Sequence, residues 1–267
     1  MISEPLRPLP AATLVPMRDG QGGLEVLLLR RSERAAFVPG GHVFPGGVVD
    51  AADASADAAA LVVGLSAERA SERLDVRSGP PALAYFFAAV RETFEESGLL
   101  VGVRWASPAA AVAPTAPSVV ALRADLLDGR IGFTEVLARL GARVAADELA
   151  YFAHWITPER APRRYDTRFF AARVPPHADL SSSVPAVDPR EMTSALWSTP
   201  AAALEAHAAG TLAMILPTIE TLRHLATFPH TRSALASMAS APVATNPPAS
   251  ASRGFAARPA QARLAEP

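Results

Sequence analysis

Residues 91–99 read Arg91-Glu92-Thr93-Phe94-Glu95-Glu96-Ser97-Gly98-Leu99. Three carboxylates, Glu92, Glu95 and Glu96, stand at spacings i, i+3 and i+4, which on a helix places them on one face a turn apart. Like charges at that spacing repel by a few tenths of a kcal/mol per pair. A bound divalent cation reverses the sign of that cost, because hard cations such as Mg²⁺ take oxygen ligands and leave room for water and substrate phosphate. Taken alone, the glutamates also fit a solvated acidic face on an ordinary helix. Gly98 supplies a helix stop, and Leu99 begins an apolar run that can re-enter the core as a strand. Working upstream, residues 44–47 read Phe44-Pro45-Gly46-Gly47, followed by Val48, Val49 and Asp50. Adjacent glycines after a proline let backbone approach a ligand closely, and a peptide carbonyl there can join a metal site.

Together these stretches resemble the Nudix box, G-x5-E-x7-R-E-U-x-E-E-x-G-U, with U aliphatic. Its second half is Arg91 to Leu99, departing only at Thr93, and its first half is Gly47 with Asp53 where the family has its first glutamate. Arg91 follows Gly47 by 44 positions, 30 more than the pattern allows, so the box reads as split by an insertion. Counting back from Arg91 instead puts Leu83 at the first glutamate position. The resemblance implies an α+β Nudix fold: a mixed β-sheet sandwiched between helices (α/β/α), with a helical and loop insertion inside the box. It also implies that Glu92, Glu95, Glu96 and the Gly47 carbonyl hold Mg²⁺ or Mn²⁺. Arg91 is expected to point away from the metals and pair with Asp53, fixing the loop against the helix.

A second resemblance is to coenzyme A diphosphatases within that family, which show L-L-T-x-R-[SA]-x3-R-x3-G-x3-F-P-G-G. This chain has Leu27-Leu28-Leu29-Arg30-Arg31-Ser32, then Gly40, then Phe44 to Gly47 at the same spacings, departing at Leu29 and Ala36. With the Arg164-Tyr165-Asp166-Thr167-Arg168-Phe169-Phe170 run, it is similar to the peroxisomal-type (acyl-)coenzyme A diphosphatase branch and its bacterial relatives. The implied substrate is a small nucleoside diphosphate of the coenzyme A kind. Its expected contacts are Arg31, Ser32, Phe44 and Gly46, joined by Arg163 and Arg164, since arginine binds phosphate in bidentate fashion and stacks on aromatic rings. For each arginine an ordinary surface ion pair is the competing role. Alternative substrates are ADP-ribose and NADH. A nucleotide-sensing domain without catalysis is the alternative of another class, although such domains tend to lose box glutamates.

Composition narrows the remaining classes. The chain has 267 residues, is 50% apolar and carries a net charge of −1, without the basic surplus of a general nucleic-acid binder. All 25 basic residues are arginine and there is no cysteine, which excludes Schiff-base lysines, P-loop lysines, disulfides and thiolate sites. No apolar run approaches the roughly 20 residues that span a bilayer. Met1 to Pro10 lacks the form of a signal peptide, and Ala265-Glu266-Pro267 is no Ser-Lys-Leu address. The expectation is a cytoplasmic enzyme with no nucleic-acid or membrane partner, for which a homodimer is open.

The patterning predicts strands at 12–17, 24–30, 101–105, 150–157, 165–170 and 194–198, and helices at 66–74, from Pro81, at 118–128, 133–140, 201–209 and 211–227. Leu83, Phe86, Phe87 and Val90 read as the core stripe of the acidic helix, Tyr85 as core packing, and His154 as a satisfied core or surface histidine rather than a ligand. Residues 51–80, alanine-rich and closed by Pro80-Pro81, read as the insertion, equally a lid or specificity element at the site and a tolerated surface excursion. Residues 107–142 read as a linker and helical segment, and 1–230 as the catalytic domain. Residues 231–267, rich in Ala, Ser and Pro, read as a disordered tail. A further catalytic glutamate from a loop outside the box is a family habit, and Glu191 stands in a suitable place, with Asp188 and Glu148 as alternatives.

Overall fold

Alternation along two strands decides the layers. In β1 (Leu9–Gly20), Ala12 and Leu14 enter one core while Val15 and Met17 enter another. In β2 (Gly23–Arg31), Leu27 and Leu29 separate from Leu24, Val26 and Leu28 in the same way. Successive side chains of a strand point to opposite faces, so this sheet is buried on both. Both strands outrun the predicted spans because the tight turn between Gly20 and Gly23 carries antiparallel pairing to the end of the hairpin.

The computed structural model describes residues 6–35, 38–175, 186–243 and 245–246. After the hairpin come β3 (His42–Val43), β4 (Gly46–Val48), α1 (Ala56–Ala60), β5 (Val62–Val63), α2 (Ala67–Leu74), α3 (Ala82–Ser97) and β6 (Val103–Trp105). Then follow α4 (Pro117–Leu127), α5 (Phe133–Leu140), β7 (Ala142–Ala145), β8 (Ala150–Ile156), β9 (Tyr165–Arg173) and β10 (Met192–Ser198). The chain closes with α6 (Pro200–Ala208), α7 (Leu216–Leu225), α8 (Thr231–Ser240) and β11 (Thr245–Asn246). The main sheet runs β10-β2-β1-β9-β8-β11, with β3 on β2 and β4 on β1. It is mixed: β1 pairs parallel with β9 and β8 with β11, while the remaining pairs are antiparallel. Phe86, Phe87, Val90 and Phe94 of α3 cover one face; Ala203 of α6, Leu222 and Leu225 of α7, and Ala234 and Met238 of α8 cover the other. That is the expected α/β/α sandwich. Among the described residues no helix is long and apolar enough to cross a membrane.

Two expectations need correcting. First, the insertion is woven into the core. Its β5 pairs with β7 in a separate three-stranded sheet, β5-β7-β6, and Ala70 and Leu74 of α2 are buried against the core under α3. Ser66 caps α2 by accepting from the Arg69 N–H. Second, the tail does not begin at 231. Thr231 is fully buried and donates its N–H (2.8 Å) and hydroxyl (2.9 Å) to the Asp19 carboxylate, anchoring α8 to the hairpin. The apolar signal missed there is Ala234 and Met238, four apart on one helical face. Residues 247–267 of the expected tail, like Ala36, lie outside the described residues. Met238 is 1% exposed, so Met238→Ala is expected to cost about 2–4 kcal/mol in urea unfolding. A loss below about 0.5 kcal/mol, the range of surface substitutions, would detach α8 from the core.

His154 is a satisfied residue, as expected: its Nε2 meets Asp166 (2.6 Å), its Nδ1 meets Thr245 (2.8 Å), and Arg168 joins the same cluster. Tyr85 is buried beneath the Arg168 guanidinium.

Candidate active site

The platform of the site is α3. Its apolar side chains at 86, 87, 90 and 94 recur at helical spacing and each contributes roughly 1.5–3 kcal/mol by burial. Pro81 stands at the N-cap, and Gly98 ends the helix with φ 72°, its N–H reaching the Phe94 carbonyl at 2.8 Å. Thr93, the departure from the aliphatic pattern, is fully buried and satisfies its hydroxyl on the Ala89 carbonyl one turn back (2.7 Å). A threonine therefore fits the core position without an orphaned polar atom.

Packing this helix over β1 and β4 brings the two halves of the split motif together. The Gly46 N–H donates to Glu96 Oε2 at 3.0 Å. A Cβ on Gly47 would overlap the Glu92 carboxylate, so only glycine admits that side chain against the turn. Gly46 is different, because its Cβ would strike backbone, including Thr13 Cα at 2.8 Å. Gly47→Ala is therefore expected to lower turnover about tenfold or more with little change in Tm, since the flexible Glu92 gives way. Gly46→Ala should instead lower Tm by opening the β1–β4 pairing. Equal Tm losses in both variants would contradict this division.

Arg91 is the joint between insertion and helix. Its Nε and Nη2 donate to Asp53 at 2.8 and 2.9 Å, and Nη2 also reaches the Val48 carbonyl at 3.0 Å. Asp53, not Leu83, is thus the residue that Arg91 grips, while Leu83 is a half-buried packing residue. The expectation that Arg91 faces away from the metal ligands is corrected: Nη1 lies 2.9 Å from both Glu92 Oε1 and Glu95 Oε2. With only one turn of helix between them, the fork that grips Asp53 also reaches the neighbouring carboxylates. Burial works against the Arg91 charge, but Asp53, Glu92 and Glu95 outweigh it and raise its pKa.

Electrostatics at the glutamates is that of anions short of a cation. Burial, reinforced by the Glu95 and Glu191 charges and opposed by Arg91, pushes Glu92 up to about 7. Burial also raises Glu95. Glu96, 4% exposed, is held well above the usual range by burial and the Glu92 charge, against the pull of the Gly46 N–H and Arg31. Buried, mutually repelling oxygen donors beside a glycine turn fit a hard divalent cation. Among the described residues no three carboxylates or imidazoles stand gathered as a ready cage, and Arg91 occupies oxygens of Glu92 and Glu95. An ion that keeps several waters and takes substrate phosphate needs only one or two protein carboxylates at once.

The other expected site residues divide. Arg31 is close enough for its charge to act on Glu96, and its buried Nε has no hydrogen-bond partner among the described residues. Glu191 is also brought to the cluster: its carbonyl accepts from the Ser32 N–H (2.8 Å), and its charge is felt by Glu92 and Glu96. The Ser32 hydroxyl accepts from the Arg34 N–H, shaping its own turn. Phe44 is a correction, for at 4% exposure its ring belongs to the second core and anchors the loop rather than a ligand. Arg164 spends its guanidinium on the Thr157 (3.1 Å) and Leu6 (2.6 Å) carbonyls, just ahead of β9, and Arg163 is exposed beside it. Glu148 pairs with Arg104 on the surface, and Asp188 is a loop-forming residue whose N–H reaches the Glu96 carbonyl. Arg123, which the sequence did not single out, donates to the Glu95 carbonyl from α4. No local pattern marks such a contact.

Comparison with known proteins agrees with this geometry. The family described as the NUDT19 Nudix domain matches residues 9–225. Proteins named acyl-coenzyme A diphosphatase NUDT19 from Gallus gallus and Homo sapiens are 35% and 31% identical over 217 and 239 residues. The alignments cover 68% and 77% of this chain but only 55% and 61% of those proteins. This chain therefore spans less than two thirds of their length. A crystal structure of a NUDIX hydrolase from Alicyclobacillus acidocaldarius superposes with a TM-score of 0.67 at 28% identity, covering 88% of this chain and 99% of that one. A family match over four fifths of the sequence, carried by a split box that the fold reunites, places the chain in the Nudix family, with its NUDT19-type domain.

Proposed function

We propose that the chain is a metal-dependent Nudix diphosphatase that cleaves coenzyme A or acyl-coenzyme A to 3′,5′-ADP and (acyl-)phosphopantetheine. The observation that carries the hydrolase reading is the set of half-buried Glu92 and Glu95 and buried Glu96 on α3, closed by the Gly46–Gly47 turn. The substrate class draws its support from the names of the relatives and from Arg31, whose charge reaches the same site. Of the two departures from the coenzyme A signature, Leu29 is fully buried in the core, where a side chain contacts no substrate.

A phosphoanhydride repels an attacking water, so positioning and charge neutralisation supply most of the catalysis. Mg²⁺ or Mn²⁺, when bound by the box glutamates and the Gly47 carbonyl, would neutralise phosphate charge and acidify a water. The chain's own residues do the rest. Glu96 is fixed by the Gly46 N–H, Glu92 is seated against Gly47, and Arg91 stakes the insertion loop to the helix through Asp53. Arg31 offers a cation to a phosphate oxygen.

Product analysis tests the proposal, with purified protein and Mg²⁺ or Mn²⁺ on coenzyme A, an acyl-coenzyme A, ADP-ribose and NADH. The expected result is 3′,5′-ADP from the coenzyme A compounds. Preference for ADP-ribose or NADH would overturn the substrate class, and no product from any of the four would overturn the hydrolase reading for these diphosphates.

A further inference from the structure

The loop 186–191 that carries Glu191 is held from both ends by one helix, α4, which belongs to neither sheet. At one end Arg123 spans a gap: Nε and Nη2 donate to the Glu95 carbonyl at 3.1 and 2.6 Å, and Nη1 donates to the Ala186 carbonyl at 2.6 Å. At the other end Arg190 reaches back to the C-terminal end of α4, with Nη1 on the Leu127 carbonyl (2.5 Å) and Nη2 on Asp128 (2.6 Å). Between the two clamps, the Asp188 N–H meets the Glu96 carbonyl at 3.1 Å, and Asp188 Oδ1 accepts from the Arg190 N–H.

The last carbonyls of a helix have no intrahelical partner, and an arginine near a C-terminus commonly serves them. Water would satisfy those carbonyls as well. What water would not supply is the second half of the Arg123 contact, which ties the end of the acidic helix to the Glu191 loop. The Val119 and Leu122 side chains of α4 are buried in the larger core, so the clamp is anchored on a fixed element.

We infer that Arg123 and Arg190 are positioning residues, and that α4 is a brace holding Glu191 against the box carboxylates. The inference rests on the metal-dependent hydrolase reading, but its first readout needs no turnover. Mn²⁺ affinity, followed by electron paramagnetic resonance without substrate, is expected to weaken about tenfold in E191Q. Arg190 is exposed at its guanidinium, so R190A should fold and weaken Mn²⁺ to the same extent, with R123A as the second variant. The double variant R190A/E191Q should bind no more weakly than E191Q alone. In steady-state kinetics kcat should fall about 10- to 100-fold in each, with KM within about twofold and Tm of R190A within a few degrees of wild type. Wild-type Mn²⁺ affinity in R190A and R123A, or losses that multiply in the double variant, would overturn the brace. A wild type that binds Mn²⁺ but hydrolyses none of the four diphosphates would overturn the functional reading, while the affinity comparison still decides this one.

Discussion

Glu96→Gln is expected to lower turnover by roughly 100-fold or more while making the metal-free protein more stable at pH 8. Both effects come from one carboxylate. Glu96 is almost fully buried, accepts the Gly46 N–H, and is kept well above the usual carboxylate range by burial and the Glu92 charge. Glutamine retains the size and an oxygen that can accept from Gly46, but cannot supply negative charge. Losing one preorganised electrostatic element typically costs 10²–10³ in kcat, which sets the scale of about 100-fold. For stability the sign follows from linkage. A group whose folded pKa is raised binds its proton more tightly when folded, so its contribution is whole below the unfolded value near 4.5. That contribution is lost as pH rises through the folded value, which for Glu92 is about 7. Wild-type protein in EDTA should therefore melt lower at pH 8 than at pH 5, and the pH dependence should be weaker in E96Q. Added Mn²⁺ at pH 8 should raise the wild-type Tm more than that of E96Q. Scanning calorimetry at both pH values, with EDTA and with Mn²⁺, reads all of this; a wild-type rate in E96Q would remove this carboxylate from the chemistry.

Much of this site was legible because its signals are local. Glu92, Glu95 and Glu96 announce one helical face by spacing, and the Pro-Gly-Gly turn announces close backbone approach by residue type. Gly98 ends the helix where glycine is expected to, and Ser66 caps α2 as a serine at a helix start does. Apart from the Arg91–Asp53 pair, which the family resemblance implied, what the residue pattern could not convey is contact set by two distant segments meeting. The seating of Glu92 against Gly47 depends on β4 pairing with β1 under α3. Phe44 reads as a substrate contact by position in a motif, yet whether an aromatic ring turns to solvent or to core is decided by the helices behind it. Arg164 looks like a phosphate ligand because arginine suits phosphate, but the Thr157 carbonyl after β8 and the Leu6 carbonyl ahead of β1 take its guanidinium first.

The insertion shows the same limit from the other side. Its alanine-rich composition and closing Pro80-Pro81 read equally as a lid or a surface excursion. A two-residue strand carries almost no periodic signal, so β5 was invisible, although Val62 pairing with Val144 is what sews residues 51–80 into the second sheet. Once sewn in, the insertion has a fixed place from which Asp53 can serve α3. Splitting the box by 30 residues thus leaves its geometry intact, because the added chain is folded into core rather than hung outside it.

That geometry turns on Arg91, and Arg91→Met is expected to destabilise the protein by about 3–5 kcal/mol, the usual cost of stranding one partner of a buried ion pair. The Asp53 side chain has no solvent exposure, and its carboxylate is held by two Arg91 nitrogens and the Asp50 N–H. Methionine fills much of the arginine volume, so packing loss is small and the cost is mainly electrostatic. For a chain of this size, where 1 kcal/mol shifts Tm by roughly 2–4 °C, the melting point should fall by about 10 °C. Asparagine at 53 carries no charge yet can still accept from Asp50, so R91M/D53N should be more stable than R91M alone. Leu83→Ala, at the competing position of the motif, should cost only the packing of a half-buried side chain and show no such rescue. Thermal unfolding of the three variants decides between the positions. An R91M protein that melts within about 2 °C of wild type, or a double variant no more stable than R91M, would mean that Asp53 does not need its cation and that the insertion is held by packing alone.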